Sequence, residues 1–195
     1  MPERVAGLLL AAGEGRRFGL PKALVRHRGS TLVERAAGVL LAAGCDPVVV
    51  VLGAAAERIA ATADLAGTVP VTNPEWRSGM GSSLRTGLAV LGDSERYSDV
   101  SSALILPVDM PGITESAVLR VAEHASGDAL AAAGYDGERG HPVLLGRSHW
   151  DGVREVALGD RGARDYLRVR NVRIVACEDI AAGFDIDRPE DLNEG

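Results

Sequence analysis

Residues 5–24 read VAGLLLAAGEGRRFGLPKAL. Val5–Ala11 is a short, continuous apolar run closed by Gly13, which marks a buried strand rather than a helix. The chain then breaks into Gly13, Gly15 and Gly19 and delivers Arg16, Arg17 and Lys22 among and just after them. In a parallel sheet, ligands bind beyond the carboxyl ends of the strands, and this turn occupies such an end. Glycines let backbone amides approach a phosphate closely, while Arg17 and Lys22 bring charge to its oxygens.

That the sheet is parallel follows from the residues beyond. Thr31 and Glu34 are spaced as a capping box ahead of Leu32, Ala36, Val39 and Leu40, and Gly44 stops the helix they announce. Pro47 opens VVVVL, residues 48–52, whose β-branched side chains cannot all face one way, so it reads as a strand covered on both faces. The alternation continues with a helix over 55–63, a strand over 69–72, a helix over 82–91, a buried strand over 103–108 and a helix over 115–124. Such alternation specifies an α/β fold, a mostly parallel sheet with helices on both faces. The rhythm then changes. Apolar runs over 129–133 and 142–145, separated by YDGERGH, are expected to pair antiparallel as an insertion or edge hairpin. Helices near 150–156 and 163–169, a strand over 173–176 and a short helix from Pro189 complete the order. There is no internal repeat and no long linker, so residues 1–195 read as a single domain.

With 195 residues, 46% of them apolar and 4% aromatic, the chain is long enough for one sizeable core. A net charge of −6 argues against non-specific nucleic-acid binding, so phosphate chemistry must be local. Cys45 and Cys177 are too few and too far apart for a zinc ribbon or a CxxC motif and are expected to be reduced thiols in or near the core. The start MPERVAG lacks a signal-peptide pattern, and no apolar run approaches the roughly 18 residues that a membrane span needs. A cytoplasmic protein without a nucleic-acid or membrane partner is the expectation.

Two common phosphate-binding templates fail on the opening loop. Gly13, Gly15 and Gly19 leave three residues where the dinucleotide fingerprint requires two, and Lys22 is followed by Ala23 rather than by the Ser or Thr of a P-loop. LAAGEGRRFGLPK instead resembles the signature of nucleotidyltransferases with a Rossmann-like GT-A fold, L-A-A/G-G-x-G/S-x-R-M/F followed by a lysine. The resemblance implies that Leu10, Ala11, Ala12, Gly13 and Gly15 wrap a nucleoside triphosphate. It implies that Arg17 and Lys22 stabilise the α-phosphate and the departing pyrophosphate as catalytic residues, with Arg16 the spare arginine. The short spacing from Gly13 to Lys22 is similar to the molybdopterin branch, whose members attach CMP or GMP to molybdenum cofactor.

Nucleotidyl transfer calls for a divalent cation, Mg²⁺, held by one or two carboxylates. Asp109 ends a buried run in ALILPVDMPGIT, where an unpaired aspartate would cost stability. It is a metal ligand on one reading and the cap of a turn, or of the helix starting near Thr114, on the other. PVDMP resembles the metal-aspartate motif of the molybdopterin branch. In FDIDRPEDL, residues 184–192, an extended backbone points Asp185 and Asp187 the same way, so both can approach one cation. The segment resembles the family's DIDTPEDL, which implies Asp187 as the second ligand; an aspartate before Arg188 and Pro189 is also a good helix N-cap.

NPEWRSGMGSSLRTGL, residues 73–88, begins with turn chemistry and ends in a helix that Ser82 is expected to cap, while Gly79 and Gly81 free backbone groups for a base edge. It resembles the family's N-x-x-[WY]-x-x-G-M-x-x-S-[LI] segment, which implies that Asn73, Gly79, Gly81, Ser82 and Ser83 border the nucleobase; Trp76 reads as a packing residue. Cytidine-using members carry LAAG and guanine-using members LAGG, so Ala11, Ala12 and Gly13 imply CTP. GHPVLLGRSHW and GDRGARDYL resemble segments of the cytidylyltransferase branch beside the pterin, which assigns His141, Pro142, Arg161 and Arg164 to the acceptor. The implied reaction transfers CMP from CTP to the terminal phosphate of molybdopterin, for eventual delivery to a molybdoenzyme. A guanylyl or sugar-phosphate nucleotidyltransferase is the rival within the fold. A non-catalytic cofactor carrier is the rival outside it, one that need not keep Arg17, Lys22 and Asp109.

Overall fold

The computed structural model describes residues 3–193. In chain order its elements are β1 (Arg4–Ala11), β2 (Arg26–His27), β3 (Ser30–Thr31), α1 (Leu32–Ala42), β4 (Val48–Leu52), α2 (Ala56–Thr62), β5 (Val69–Thr72), α3 (Met80–Gly92), β6 (Val100–Pro107), α4 (Glu115–Ala122), β7 (Leu130–Tyr135), β8 (Glu138–Gly146), α5 (Trp150–Val156), α6 (Arg164–Arg168) and β9 (Arg173–Ala176). Short 3₁₀ turns at Lys22–Leu24, Gly159–Arg161 and Pro189–Asn193 lie near the site.

Seven strands form one sheet in the order β5-β4-β1-β6-β8-β7-β9. β1 runs parallel to β4 and β6, β5 parallel to β4, and β9 parallel to β7. β8 is antiparallel to both of its neighbours, β6 and β7. Successive β1 residues serve opposite faces because side chains alternate along a strand. Leu9 joins the core with α1 and α4, alongside Leu40, Leu104 and Val118, while Leu8 joins the core with α3 and α5, alongside Leu84, Leu88 and Trp150. All five residues of β4 are buried, as a run covered on both faces requires.

The α1 capping box forms as spelled: Thr31 Oγ1 accepts from Glu34 N, and the Glu34 carboxylate accepts from Thr31 N. The hairpin of β7 and β8 is antiparallel, but β8 is threaded between β6 and β7, and β9 takes the sheet edge. Its connection is shorter than the loop expected from YDGERGH. Asp136 and Gly137 both have positive φ, 51° and 81°, and form a two-residue turn whose twist suits a hairpin. A two-stranded sheet of β2 and β3 is an addition that the apolar pattern does not announce. Cys45 and Cys177 are both free and buried. Among the described residues no helix is long and apolar enough to cross a membrane.

Candidate active site

The loop after β1 turns tightly because Gly15 adopts φ +63°, and its carbonyl accepts from the amides of Phe18 and Gly19 at 2.9 and 2.8 Å. A Cβ on Gly15 would lie 2.0 Å from the Leu20 carbonyl oxygen, so only glycine fits. Nothing approaches the Cβ position of Gly13, which faces open space. The 3₁₀ turn that begins at Lys22 then returns that side chain toward the end of β6.

Asp109 stands two residues beyond β6, fixed to β1 through the bond from Val108 N to Leu10 O at 3.0 Å. It does not cap α4; Thr114 does, accepting from Ala117 N. The segment after β9 runs back along this turn. Ala182 N donates to Gly112 O at 3.1 Å and Ile186 N to Asp109 O at 2.8 Å, and the Ile186 side chain is fully buried. This stitching brings three acids together. Asp109, Asp185 and Asp187 each offer a carboxylate oxygen, and these atoms lie within 4.8 Å of one another.

Lys22 sits among them. Its Nζ donates to Asp109 Oδ2 at 2.7 Å and to Asp187 Oδ1 at 2.6 Å, and Arg17 Nη1 donates to Asp187 Oδ2 at 3.0 Å. Burial pulls the Lys22 pKa down, but the bonds to Asp109 and Asp187 outweigh it and leave the ammonium above its ordinary value. The bond from Lys22, against a smaller opposing effect of burial, holds the Asp187 carboxyl below the usual aspartate range. Three hard oxygen donors of this kind fit Mg²⁺ or Mn²⁺, which complete their shells with phosphate oxygens and water.

Beside this cluster opens a cleft of about 350 Å³ whose walls include Leu10, Ala12, Gly13, Gly15, Lys22 and Asp109. Residues 7–175 match the family model described as a MobA-like NTP transferase domain. The chain belongs to that family. It is 37% identical to a protein named nicotine blue oxidoreductase from Paenarthrobacter nicotinovorans, over 96% of this chain and 94% of that one. A probable molybdenum cofactor guanylyltransferase from Bacillus mycoides (strain KBAB4) is 27% identical over 93% of this chain and 88% of its own length. Among solved structures, Rv0371c from Mycobacterium tuberculosis H37Rv superposes with a TM-score of 0.83 at 25% identity, covering 100% of this chain and 98% of that one. This NTP transferase is thus a nucleotidyltransferase of the MobA-like family with the GT-A-like fold.

The cleft gathers much of what the sequence nominates, adding Arg16, Gly79 and Ser83 to the walls. Other nominated residues stand behind it. Ser82 is not the cap of α3, which starts earlier with Gly79 as N-cap; its Oγ donates back to the Gly79 and Glu75 carbonyls because it already lies in the first helical turn. Asn73 is buried and donates to Ser82 and Ser83, bracing the wall rather than lining it. A Cβ on Gly81 would lie 2.5 Å from the Ala157 carbonyl, so this glycine serves the packing of α3 against the chain after α5. Ala11 is buried beneath the loop.

Of the residues expected to meet the acceptor, His141 and Pro142 lie on β8, Arg161 ends the 3₁₀ turn Gly159–Arg161 and Arg164 starts α6; none of the four lines the cleft. Burial first, and then Arg164 and Arg139, pull the His141 imidazole down to about 4, so it is neutral at physiological pH. Sequence reasoning overlooks Asp160 and Asp191. Asp160 reaches the cleft on the turn after α5, next to Gly79, a placement no local pattern encodes. Asp191 Oδ2 accepts from the amides of both Asp187 and Arg188 at 2.8 Å. These bonds fix the backbone on either side of the Asp187 side chain, whose two oxygens accept from Lys22 and Arg17. Trp76 packs against Gly53 and also lines the cleft.

Proposed function

We propose that this NTP transferase moves CMP from CTP to the terminal phosphate of a molybdopterin-type acceptor. The observation that carries the reading is the convergence of the glycine loop, Arg17, Lys22 and three carboxylates at the carboxyl ends of β1 and β6. An acceptor phosphate oxygen attacks the α-phosphorus, the bond from that phosphorus to the bridging oxygen breaks, and pyrophosphate leaves with the electron pair. The acceptor is already an anion, so positioning and charge stabilisation carry the step and no strong base is needed. Backbone amides after β1 orient the triphosphate, and Lys22 and Arg17 follow its developing charge. A divalent cation held by Asp109, Asp187 and Asp185 neutralises the triphosphate when bound.

The stretch LAAG at Leu10–Gly13, which resembles that of the cytidine-using members, supports CTP over the GTP that the guanylyltransferase relatives' names point to. The test is pyrophosphate release by the purified protein with each of the four NTPs, with and without molybdopterin, and mass spectrometry of the product. Release with GTP alone moves the assignment to guanylyl transfer.

A second reading rests on the 37% identity to the protein named nicotine blue oxidoreductase. It makes the same cleft a seat for a heterocycle that takes up two electrons and a proton as hydride from an added reduced nicotinamide nucleotide, which leaves oxidised. Absence of pyrophosphate release from every NTP, together with turnover of such a chromophore followed by its absorbance, selects it.

A further inference from the structure

Three of the carboxylate oxygens suited to a divalent cation are engaged by side-chain cations. Lys22 Nζ lies 2.7 Å from Asp109 Oδ2 and 2.6 Å from Asp187 Oδ1, and Arg17 Nη1 takes the remaining oxygen of Asp187 at 3.0 Å. The Lys22 side chain is only 17% exposed, and the ammonium cannot simply withdraw into water. We propose that Lys22 bars the carboxylate centre to free divalent cations, so that the metal enters only as its complex with the triphosphate. The proposal rests on the reading of the site as a nucleotidyl-transfer centre.

The physical reason is an exchange of partners. A divalent cation shared by Asp109 and Asp187 must come close to the Lys22 ammonium while that group still sits on the same oxygens, and like charges repel strongly in a partly buried site. Moving Lys22 away unaided leaves an ammonium without its two carboxylates. A triphosphate removes both obstacles: its oxygens receive Lys22 and Arg17, and the carboxylates so released receive the metal that travels with it. Charge stays compensated throughout. The three carboxylates carry three negative charges against the two positive charges of Lys22 and Arg17, so the centre is only weakly attractive to a lone cation. The residue that serves the phosphates in the loaded state is thus the plug of the empty one.

The experiment titrates Mn²⁺ into nucleotide-free wild-type protein, Lys22→Met and Lys22→Arg by calorimetry, with a thermal melt on each sample to establish folding. The expected result is that Lys22→Met binds Mn²⁺ at least about tenfold tighter than wild type, about 1.4 kcal/mol, while Lys22→Arg, which keeps a cation over the carboxylates, stays near wild type. Adding α,β-methylene-CTP, which cannot be cleaved at the α-phosphorus, is expected to raise wild-type Mn²⁺ affinity by at least about tenfold. Equal Mn²⁺ affinities in wild type and folded Lys22→Met overturn the proposal. If Lys22→Met fails to fold, a wild-type affinity that does not rise with the analogue overturns it. Pyrophosphate release by wild type, measured separately, reports on the nucleotidyl-transfer reading itself, so failure of one is distinguishable from failure of the other.

Discussion

The glycine-loop wall of the cleft and the wall of acids that stands beside the cleft are built differently. Residues 10–22 form one wall from a single unbroken stretch, its shape set by backbone conformation at Gly15 and by turns that close within a few residues. The wall of acids is assembled from the turn after β6 and the segment after β9, held together by the bonds from Ala182 to Gly112 and from Ile186 to Asp109. A wall made by backbone conformation tolerates one side chain or none at its critical point. A wall made by several hydrogen bonds and carboxylates loses function in steps as they are removed.

The largest expected effect falls on the first wall. Gly15→Ala combines a left-handed backbone with a Cβ placed 2.0 Å from a carbonyl oxygen, so the loop must move. Pyrophosphate release should fall by about a thousandfold, about 4 kcal/mol of barrier. Turnover near wild type would erase the contrast between the walls.

The next test lies away from both walls, in the half of the sheet that contains β8. His141, depressed from 6.5 to about 4, is a base that the unfolded chain protonates more readily than the folded one. Between those two pH values stability therefore falls as pH falls, and above about 6.5 its contribution is fully retained. The loss by pH 4 should reach about 3 kcal/mol at most from His141, and His141→Gln should lessen the slope of the stability profile measured by urea unfolding, leaving the part that buried His27, also held below its ordinary value, contributes in the same direction. Asp187 does not obscure the window, because its contribution is lost only as pH falls below the ordinary 3.8.

Within the wall of acids the effects should be graded. Asp109→Asn leaves the cap of α4 intact, since Thr114 provides it, yet removes a charge from the cation site. We expect kcat to fall by roughly tenfold or more, about 1.4 kcal/mol, together with a higher Mg²⁺ requirement in a titration of activity. Asp191→Ala frees two amides and loosens Asp187 without touching it. A loss of about 1 kcal/mol in stability and about fivefold in turnover, about 1 kcal/mol of barrier, is expected, and Asp191→Asn should recover most of both. The smallest effect is on choice of base: Ala12→Gly should narrow the CTP preference about threefold, well within what a methyl group can discriminate, as read from kcat/KM for CTP and GTP.

Legibility followed the same division. The buried run of β4, the capping box of α1 and the glycine loop are all local, and local periodicity and turn chemistry expose them. The threading of β8 between β6 and β7 depends on pairing between distant strands, which apolar runs alone do not encode. One signal was present and bypassed: Asp136 and Gly137 spell a two-residue hairpin turn inside YDGERGH. Lys22 and Asp109 stood out as charges at strand ends. That Lys22 touches Asp109 and Asp187 at once is a long-range fact with no local trace. Family resemblance covered Asp160 within GDRGARDYL but gave it no role, and its place beside Gly79 comes from how the chain after α5 packs on α3.

Lys22 and Asp187 are separated by 165 positions in the chain. A ribosome making this protein therefore releases the glycine loop well before its acidic counterpart. The strands around β1 are complete while the acid cluster still lacks two of its three members, Asp185 and Asp187. On the proposed mechanism, chemistry switches on only once residues 185–191 have emerged and docked against the Asp109 turn. Removal of that same segment takes Asp185 and Asp187 from the acid cluster and leaves Lys22 with Asp109 alone of its two carboxylate partners.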